Sequence, residues 1–240
     1  MSWLIIGMSV GAILALTGAG GAVLAIPLFM TLLDMSIKEA TTASLLVVAA
    51  SAILGSLTQE GKINLKVVLI LFFASTFGAW AAYPLKVLLP ALSLKSLLGA
   101  LALYSLWVMW RSKNKTQSSK KSLYWHLPGG LVLGGLTTLT GLGGGVVLLP
   151  WLTMTTGKAD IVTSLATIAM ISSFSFGMQI SFGAKLPAAI DIAITILAIA
   201  VSTYAVKYLM QKLSSSRAQM IRLYSFSAVV IFTLATLIGR

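Results

Sequence analysis

The sequence predicts an all-α integral membrane protein made of two inverted repeats. Each repeat is a Gly-rich broken or re-entrant helical hairpin followed by three transmembrane helices. Three observations lead there. Apolar residues are 58% of the 240 and charged residues only 9%, where soluble domains carry about 25% charged. The long apolar runs have no water-facing polar side. One glycine–proline pattern occurs twice, once in each half.

Eight apolar segments are legible, at roughly 3–33, 41–58, 63–84, 92–110, 127–156, 161–182, 188–206 and 218–239. A spanning helix needs about 20 apolar residues, and six of the segments fit one crossing each. The first and fifth are about 30 residues long, interrupted by glycines and a proline. Met1 to Leu16 reads as mature chain, because no Lys or Arg precedes the apolar run and hydrophobicity continues past any cleavage site. The hydrophilic linker Arg111 to Lys121 divides the chain. The expected units are an N-terminal repeat over 1–110, a basic cytoplasmic linker over 111–124 and a C-terminal repeat over 125–240.

Seventeen Lys and Arg against five Asp and Glu give a net charge of +12. The bases sit in short loops, where they report membrane orientation rather than nucleic-acid binding. None lies deep inside the apolar segments. Zero Cys excludes disulfides, a thiol nucleophile and Cys-ligated metals. Five acids and one His leave almost nothing for acid–base chemistry, and no cofactor is expected.

The halves repeat. Gly7, Gly11, Thr17, Gly18, Gly20, Gly21, Val23 and Pro27 recur 123 residues later as Gly130, Gly134, Thr140, Gly141, Gly143, Gly144, Val146 and Pro150. Ser44-Leu45 matches Ser164-Leu165, and Gly61 matches Gly183, with small gaps. Internal repeats are common in transporters.

The two cores read TGAGGAVLAIP (17–27) and TGLGGGVVLLP (140–150). A run of Gly frees the backbone from helical dihedrals. Such backbone cannot face lipid, because its unpaired polar groups cost several kcal/mol each; it must be enclosed by protein. A helix restarting at Gly21 or Gly144 points free N–H groups and its positive dipole end inward, which suits an anion. The arm that ends there presents carbonyls, which suit a cation. The sequence leaves both open. Thr17, Gly18, Gly20, Gly21 and Ala22, with Thr140, Gly141, Gly143, Gly144 and Gly145, are the candidate substrate-binding residues of the hairpins. Gly7/Gly11 and Gly130/Gly134 instead fit close helix packing through small residues.

Positive charge sets the topology. The loop 111–121 holds five bases and the loop 207–222 four: Lys207, Lys212, Arg217 and Arg222. Eight full crossings would put these loops on opposite sides, with 9 bases inside and 8 outside. If segments one and five enter and return as hairpins, the count is 12 inside and 5 outside. Thirty helical residues would span about 45 Å, too long for a core of about 30 Å. The charges test only segment five; the repeat extends the hairpin to segment one. Eight crossings with weak charge bias is the alternative.

Polar residues line the helices after each hairpin. Ser164, Thr167, Ser172, Ser175 and Gln179 share one face of segment six; Thr41, Ser44, Ser51, Gly55, Thr58 and Gln59 share one face of segment two. Hydroxyls and amides can coordinate an oxyanion without fixed charge, or join helices. Ser44 and Ser164 rank first, being repeat-equivalent, and Thr167 and Gln179 complete the candidate set. Asp34, Lys38, Glu39, Lys158, Asp160, Lys185 and Asp191 read as charges at helix ends. His126, beside Tyr124 and Trp125, reads as part of an interfacial aromatic belt.

Two membrane halves, each opening with a Gly-x-Gly-Gly-x-hydrophobic-Pro segment, a length near 250 and a basic central loop resemble the TauE/SafE sulfite exporter family. The resemblance covers essentially the whole chain. The first copy departs mildly, with Gly20-Gly21-Ala22 where the second has three glycines. The resemblance implies export of sulfite or a small organosulfur anion such as sulfoacetate.

The expected protein is a multi-pass secondary transporter of the cell inner membrane, moving a small anion by alternating access. Its partners are that anion and the lipid bilayer, and a homodimer is compatible with the sequence. No Walker motif is present. Uniport, Na⁺ coupling and substrate-borne protons stay open. The alternatives are an anion channel with paired re-entrant loops and a membrane-embedded enzyme; the latter lacks a nucleophile–base or metal set.

Overall fold

A computed structural model describes residues 1–17, 21–58, 61–111, 123–156, 160–184, 187–212 and 215–239. Among these residues the chain forms ten α-helices and no strand. They are α1 (Ser2–Thr17), α2 (Gly21–Leu32), α3 (Ile37–Thr58), α4 (Leu65–Leu88), α5 (Ala91–Arg111), α6 (His126–Thr140), α7 (Gly145–Thr156), α8 (Ile161–Ser181), α9 (Ala189–Gln211) and α10 (Ser215–Gly239). Among the described residues six helices are long and apolar enough to cross a membrane: α3, α4, α5, α8, α9 and α10. Helix is the form such segments take, because every backbone N–H and C=O is then satisfied within the segment. The protein is therefore a multi-pass, all-α membrane protein.

The first and fifth apolar segments each break into two short helices. The four arms hold 16, 12, 15 and 12 residues, about 18–24 Å of helix each. The arms fold back on each other. Trp3 near the start of α1 lies 5.5 Å, ring to ring, from Phe29 near the end of α2. In one continuous helix these residues would stand roughly 39 Å apart. In the second pair, a Cβ on Gly129 of α6 would land on the Trp151 indole of α7.

The halves interlock. Gly7 and Gly11 of α1 lie on Thr195, Ala198, Ile199 and Ser202 of α9, so the two helices run parallel. Gly130 and Gly134 of α6 lie on Leu71, Ala74 and Ser75 of α4 in the same sense. The first arm of each half thus packs against the other half. These are the small-residue contacts that membrane helices use in place of a hydrophobic driving force. Hydroxyls reinforce them: Ser75 donates to the Gly130 carbonyl at 2.8 Å and Thr203 to the Gly11 carbonyl at 3.3 Å. At the centre α3 and α8 run antiparallel, with Thr42 meeting Gln179 at one end and Gly55 meeting Leu165 toward the other. Gly99 of α5 meets Leu234 and Leu237 of α10.

The polar residues at helix ends act as caps. Ser36 and Glu39 form a reciprocal capping box on α3, with bonds of 3.0 and 3.3 Å. Asp160 accepts from the Thr163 amide at 3.0 Å at the start of α8. Phe73, Phe77, Trp80, Trp107 and Ile231 point outward, which lipid tolerates. Two sequence expectations are corrected. The third segment does not end at 84; α4 continues through Pro84 to Leu88. Tyr124 and Trp125 are exposed as a belt requires, but His126 is turned inward and buried.

Candidate functional site

The second hairpin turns through Gly141, Gly143 and Gly144, with φ of 70°, 66° and 69°. L side chains rarely adopt this left-handed region, and Gly enters it freely. Gly141 caps α6 by donating to the Thr137 carbonyl at 2.8 Å. The chain restarts as α7 at Gly145, one residue later than the sequence reading. All of 141–145 is buried in protein. A Cβ on Gly143 would meet Val48 and, at 3.0 Å, the Ser172 hydroxyl. Val48 and Ser172 lie near the middle of α3 and α8, so the turn sits at mid-depth of the central pair.

The two sides of this turn differ in their hydrogen bonding. Four carbonyls around the end of α6 are taken by protein donors. Leu136 O accepts from the Thr140 hydroxyl at 2.6 Å, Thr137 O from Gly141 N–H, Thr138 O from Gln179 Nε2 at 3.3 Å, and Gly141 O from the Ser44 hydroxyl at 2.9 Å. The first amides of α7, as in any α-helix, have no intrahelical acceptor. Beside them the Ser172 and Thr137 hydroxyls, both 0% exposed, have no hydrogen-bond partner among the described residues. Thr137 Oγ1 lies 3.0 Å from a Cβ built on Gly144. A buried hydroxyl left unbonded costs about 1–3 kcal/mol. The turn therefore offers helix-start amides and two unpartnered hydroxyls, each of which can donate or accept.

The hydroxyls singled out from sequence divide accordingly. Ser44 lies at the turn, but its proton bridges the Thr41 and Gly141 carbonyls, each at 2.9 Å. Thr167 donates back to the Thr163 carbonyl of its own helix at 2.8 Å, and Thr140 is likewise committed within α6. Ser164 is buried and has no hydrogen-bond partner among the described residues; its repeat counterpart Ser44 bonds residue 141, whose own counterpart is Gly18. Gly18 and Gly20 lie outside the described residues, as do the surroundings of Thr17, Gly21 and Ala22. Gly21 does begin α2, where the glycine motif placed a restart.

Gln179 is fully buried and joins a group that the sequence reading missed. Its Oε1 accepts from Lys86 Nζ at 2.7 Å and from the Thr42 hydroxyl at 2.7 Å. Lys86 Nζ also lies 3.1 Å from Thr42 Oγ1. Lys86 is 3% exposed, so the expectation of no inward base is corrected. Its signal was a lysine two residues past the apolar segment read as ending near 84. Thr138 Oγ1 and Ser175 Oγ lie 3.3 Å apart and link this group to the turn.

Six helices long and apolar enough to cross a membrane, four shorter apolar arms and a buried glycine turn make up a multi-pass membrane protein with a polar interior. A profile of the sulfite exporter TauE/SafE family matches residues 3–237, and the chain belongs to that family of membrane transporters. No curated protein and no solved structure matches the chain.

Proposed function

We propose that the chain is a secondary transporter exporting a small oxyanion, sulfite or an organosulfonate such as sulfoacetate, across the cell inner membrane. The observation that carries the anionic substrate is the division of hydrogen bonding at the glycine turn. Four carbonyls there, those of Leu136, Thr137, Thr138 and Gly141, are spent on protein donors, which leaves fewer for a cation. The first two amides of α7 have no intrahelical acceptor, and the Ser172 and Thr137 hydroxyls have no partner among the described residues, beside a helix end bearing about half a positive charge. Gly143, Gly144 and Gly145 then hold the anion through backbone. Gly18, Gly20, Gly21 and Ala22 do so in the first hairpin, with Thr17 and Ser164 as neighbours. Ser44, Thr140, Gly141 and Thr167 shape the turn.

The arms are read as re-entrant hairpins that reach mid-depth and return to the side they came from. Arm lengths of about 18–24 Å against a core of about 30 Å support this. The halves, 1–110 and 125–240, are read as inverted repeats, supported by the antiparallel pairing of the equivalent helices α3 and α8. The same directions put the linker 111–124 and the α9–α10 connection on one face, the cytoplasmic one by charge. Alternating access in this arrangement moves mixed units, because α1 travels with α9 and α6 with α4. No catalytic role is assigned to any residue.

The test is ligand-dependent thermal stability of the purified protein, since a ligand that binds only the folded state raises its melting temperature. Sulfite or sulfoacetate is expected to stabilise, and choline not. Stabilisation by choline with none by the anions would overturn the reading.

A further inference from the structure

Lys86 sits two residues from the end of α4 and is enclosed by α3 and α8. An amine carries three donors, and two are met here, by Gln179 Oε1 at 2.7 Å and Thr42 Oγ1 at 3.1 Å. Both acceptors are neutral. No carboxylate of the described residues pairs with Lys86. Its surroundings add positive rather than negative charge: Lys38 Nζ donates to the carbonyl of the adjacent Val87 at 2.7 Å. Ionisable side chains inside membrane segments are expensive and usually pair with one another or face a substrate path. A buried cation without an anionic partner is strongly unfavourable. This one keeps a third donor beyond the two neutral acceptors.

Its position relative to the glycine turn is set by α8. Ser172 lies at the turn, Ser175 meets Thr138 one turn on, and Gln179 meets Lys86 one turn beyond that. Seven residues of helix place Gln179 about 10 Å past Ser172. All three side chains are buried and share one face. Lys86 and Lys38 stand where α4 ends and α3 begins, the face opposite the 111–124 linker.

We propose that Lys86, held by Gln179 and Thr42, is a second anion-binding station, about 10 Å from the glycine turn on the side opposite the basic linker. The oxyanion occupies it in passing between the turn and that face, with the lysine as its counter-charge. Ser175 and Thr138 line the step between the two stations. The station rests on the anion-carrier reading, and it makes the exit side chemically different from the other.

The test is sulfite binding to purified full-length protein, measured by calorimetry, for the wild type and three variants. Lys86→Met removes the charge and is expected to weaken sulfite binding at least tenfold. Lys86→Arg keeps it and is expected to stay within threefold of wild type. Gln179→Glu places a permanent carboxylate against the lysine. It is expected to raise the melting temperature without ligand and to weaken sulfite binding at least tenfold. Wild-type affinity in folded Lys86→Met would overturn the station and leave the carrier reading standing. If Lys86→Met does not fold, Gln179→Glu decides, and wild-type affinity there overturns the proposal equally. A wild type that binds no sulfite, sulfoacetate or thiosulfate would overturn the carrier reading and the station with it.

Discussion

Gly134 and Gly144 lie ten residues apart on one hairpin, and replacing each by Ala should separate packing from site geometry. At Gly134 a Cβ would overlap the Ser75 carbonyl group, which is backbone and has no rotamer to yield. Helices α4 and α6 must then part, straining the 2.8 Å bond from Ser75 to the Gly130 carbonyl and the contact of Gly78 with Leu131. Overpacking costs typically 1–3 kcal/mol, and a lost hydrogen bond about 1 kcal/mol more, so a loss of about 3 kcal/mol is expected. At Gly144 the neighbours are side-chain atoms at 3.0 and 3.2 Å, which can shift slightly. The cost there is conformational. A left-handed L residue costs about 1–2 kcal/mol, offset by about 0.4–1 kcal/mol from restricting the unfolded chain. The net is about 1 kcal/mol, a few degrees of melting temperature in a chain of this size. Thermal unfolding of the purified variants, with yield of monodisperse protein, reads both. Gly134→Ala should collapse in yield, whereas Gly144→Ala should remain folded. Equal losses for the two would refute the assignment of Gly134 to packing and Gly144 to the turn.

Ser172→Ala and Thr137→Ala remove unpartnered hydroxyls, so unliganded stability should hold or rise while sulfite affinity falls by about 0.5–1.5 kcal/mol each; unchanged affinity in both would remove them from the site. Ser44→Ala should show the converse, a stability loss of about 1–3 kcal/mol from leaving a buried carbonyl under-bonded, measured by thermal unfolding. Asp160→Ala removes the cap of α8 and should cost about 1 kcal/mol with sulfite affinity unaltered. Cysteines at Ser119 and Ser215 can be read cleanly because the chain has no Cys. Both should be protected from impermeant label in whole cells, and opposite labelling would contradict the inverted hairpins.

Membrane residence and the broken segments were legible because each has a local signature. Twenty apolar residues need no partner to declare a span, and consecutive glycines before Pro27 and Pro150 announce a helix restart wherever they fall. The state of each hydroxyl was not legible. Ser44 and Ser172 look alike in sequence, yet Ser44 lies against the Gly141 carbonyl and Ser172 against Gly143, where no acceptor waits. That difference is set by the register between α3, α6 and α8, which no single helix encodes. Lys86 was missed because it lies two residues past the apolar segment read as ending near 84. In a membrane, neighbouring helices can satisfy the backbone groups that Pro84 frees, and the helix goes on. The packing of α1 on α9 and α6 on α4 is likewise tertiary. The glycines showed that each arm packs closely and left its partner unnamed.

The central claim is that these helices carry a small oxyanion by a saturable, alternating route. Sulfite flux into proteoliposomes containing only this protein tests it most directly, with sulfite loaded on the trans side in one set and omitted in the other. The expected result is saturable uptake that trans sulfite accelerates, and that Gly144→Val, with a β-branched side chain at positive φ, abolishes. Uptake that rises linearly with concentration, is indifferent to trans sulfite and accompanies an ohmic current would contradict a carrier and describe a channel.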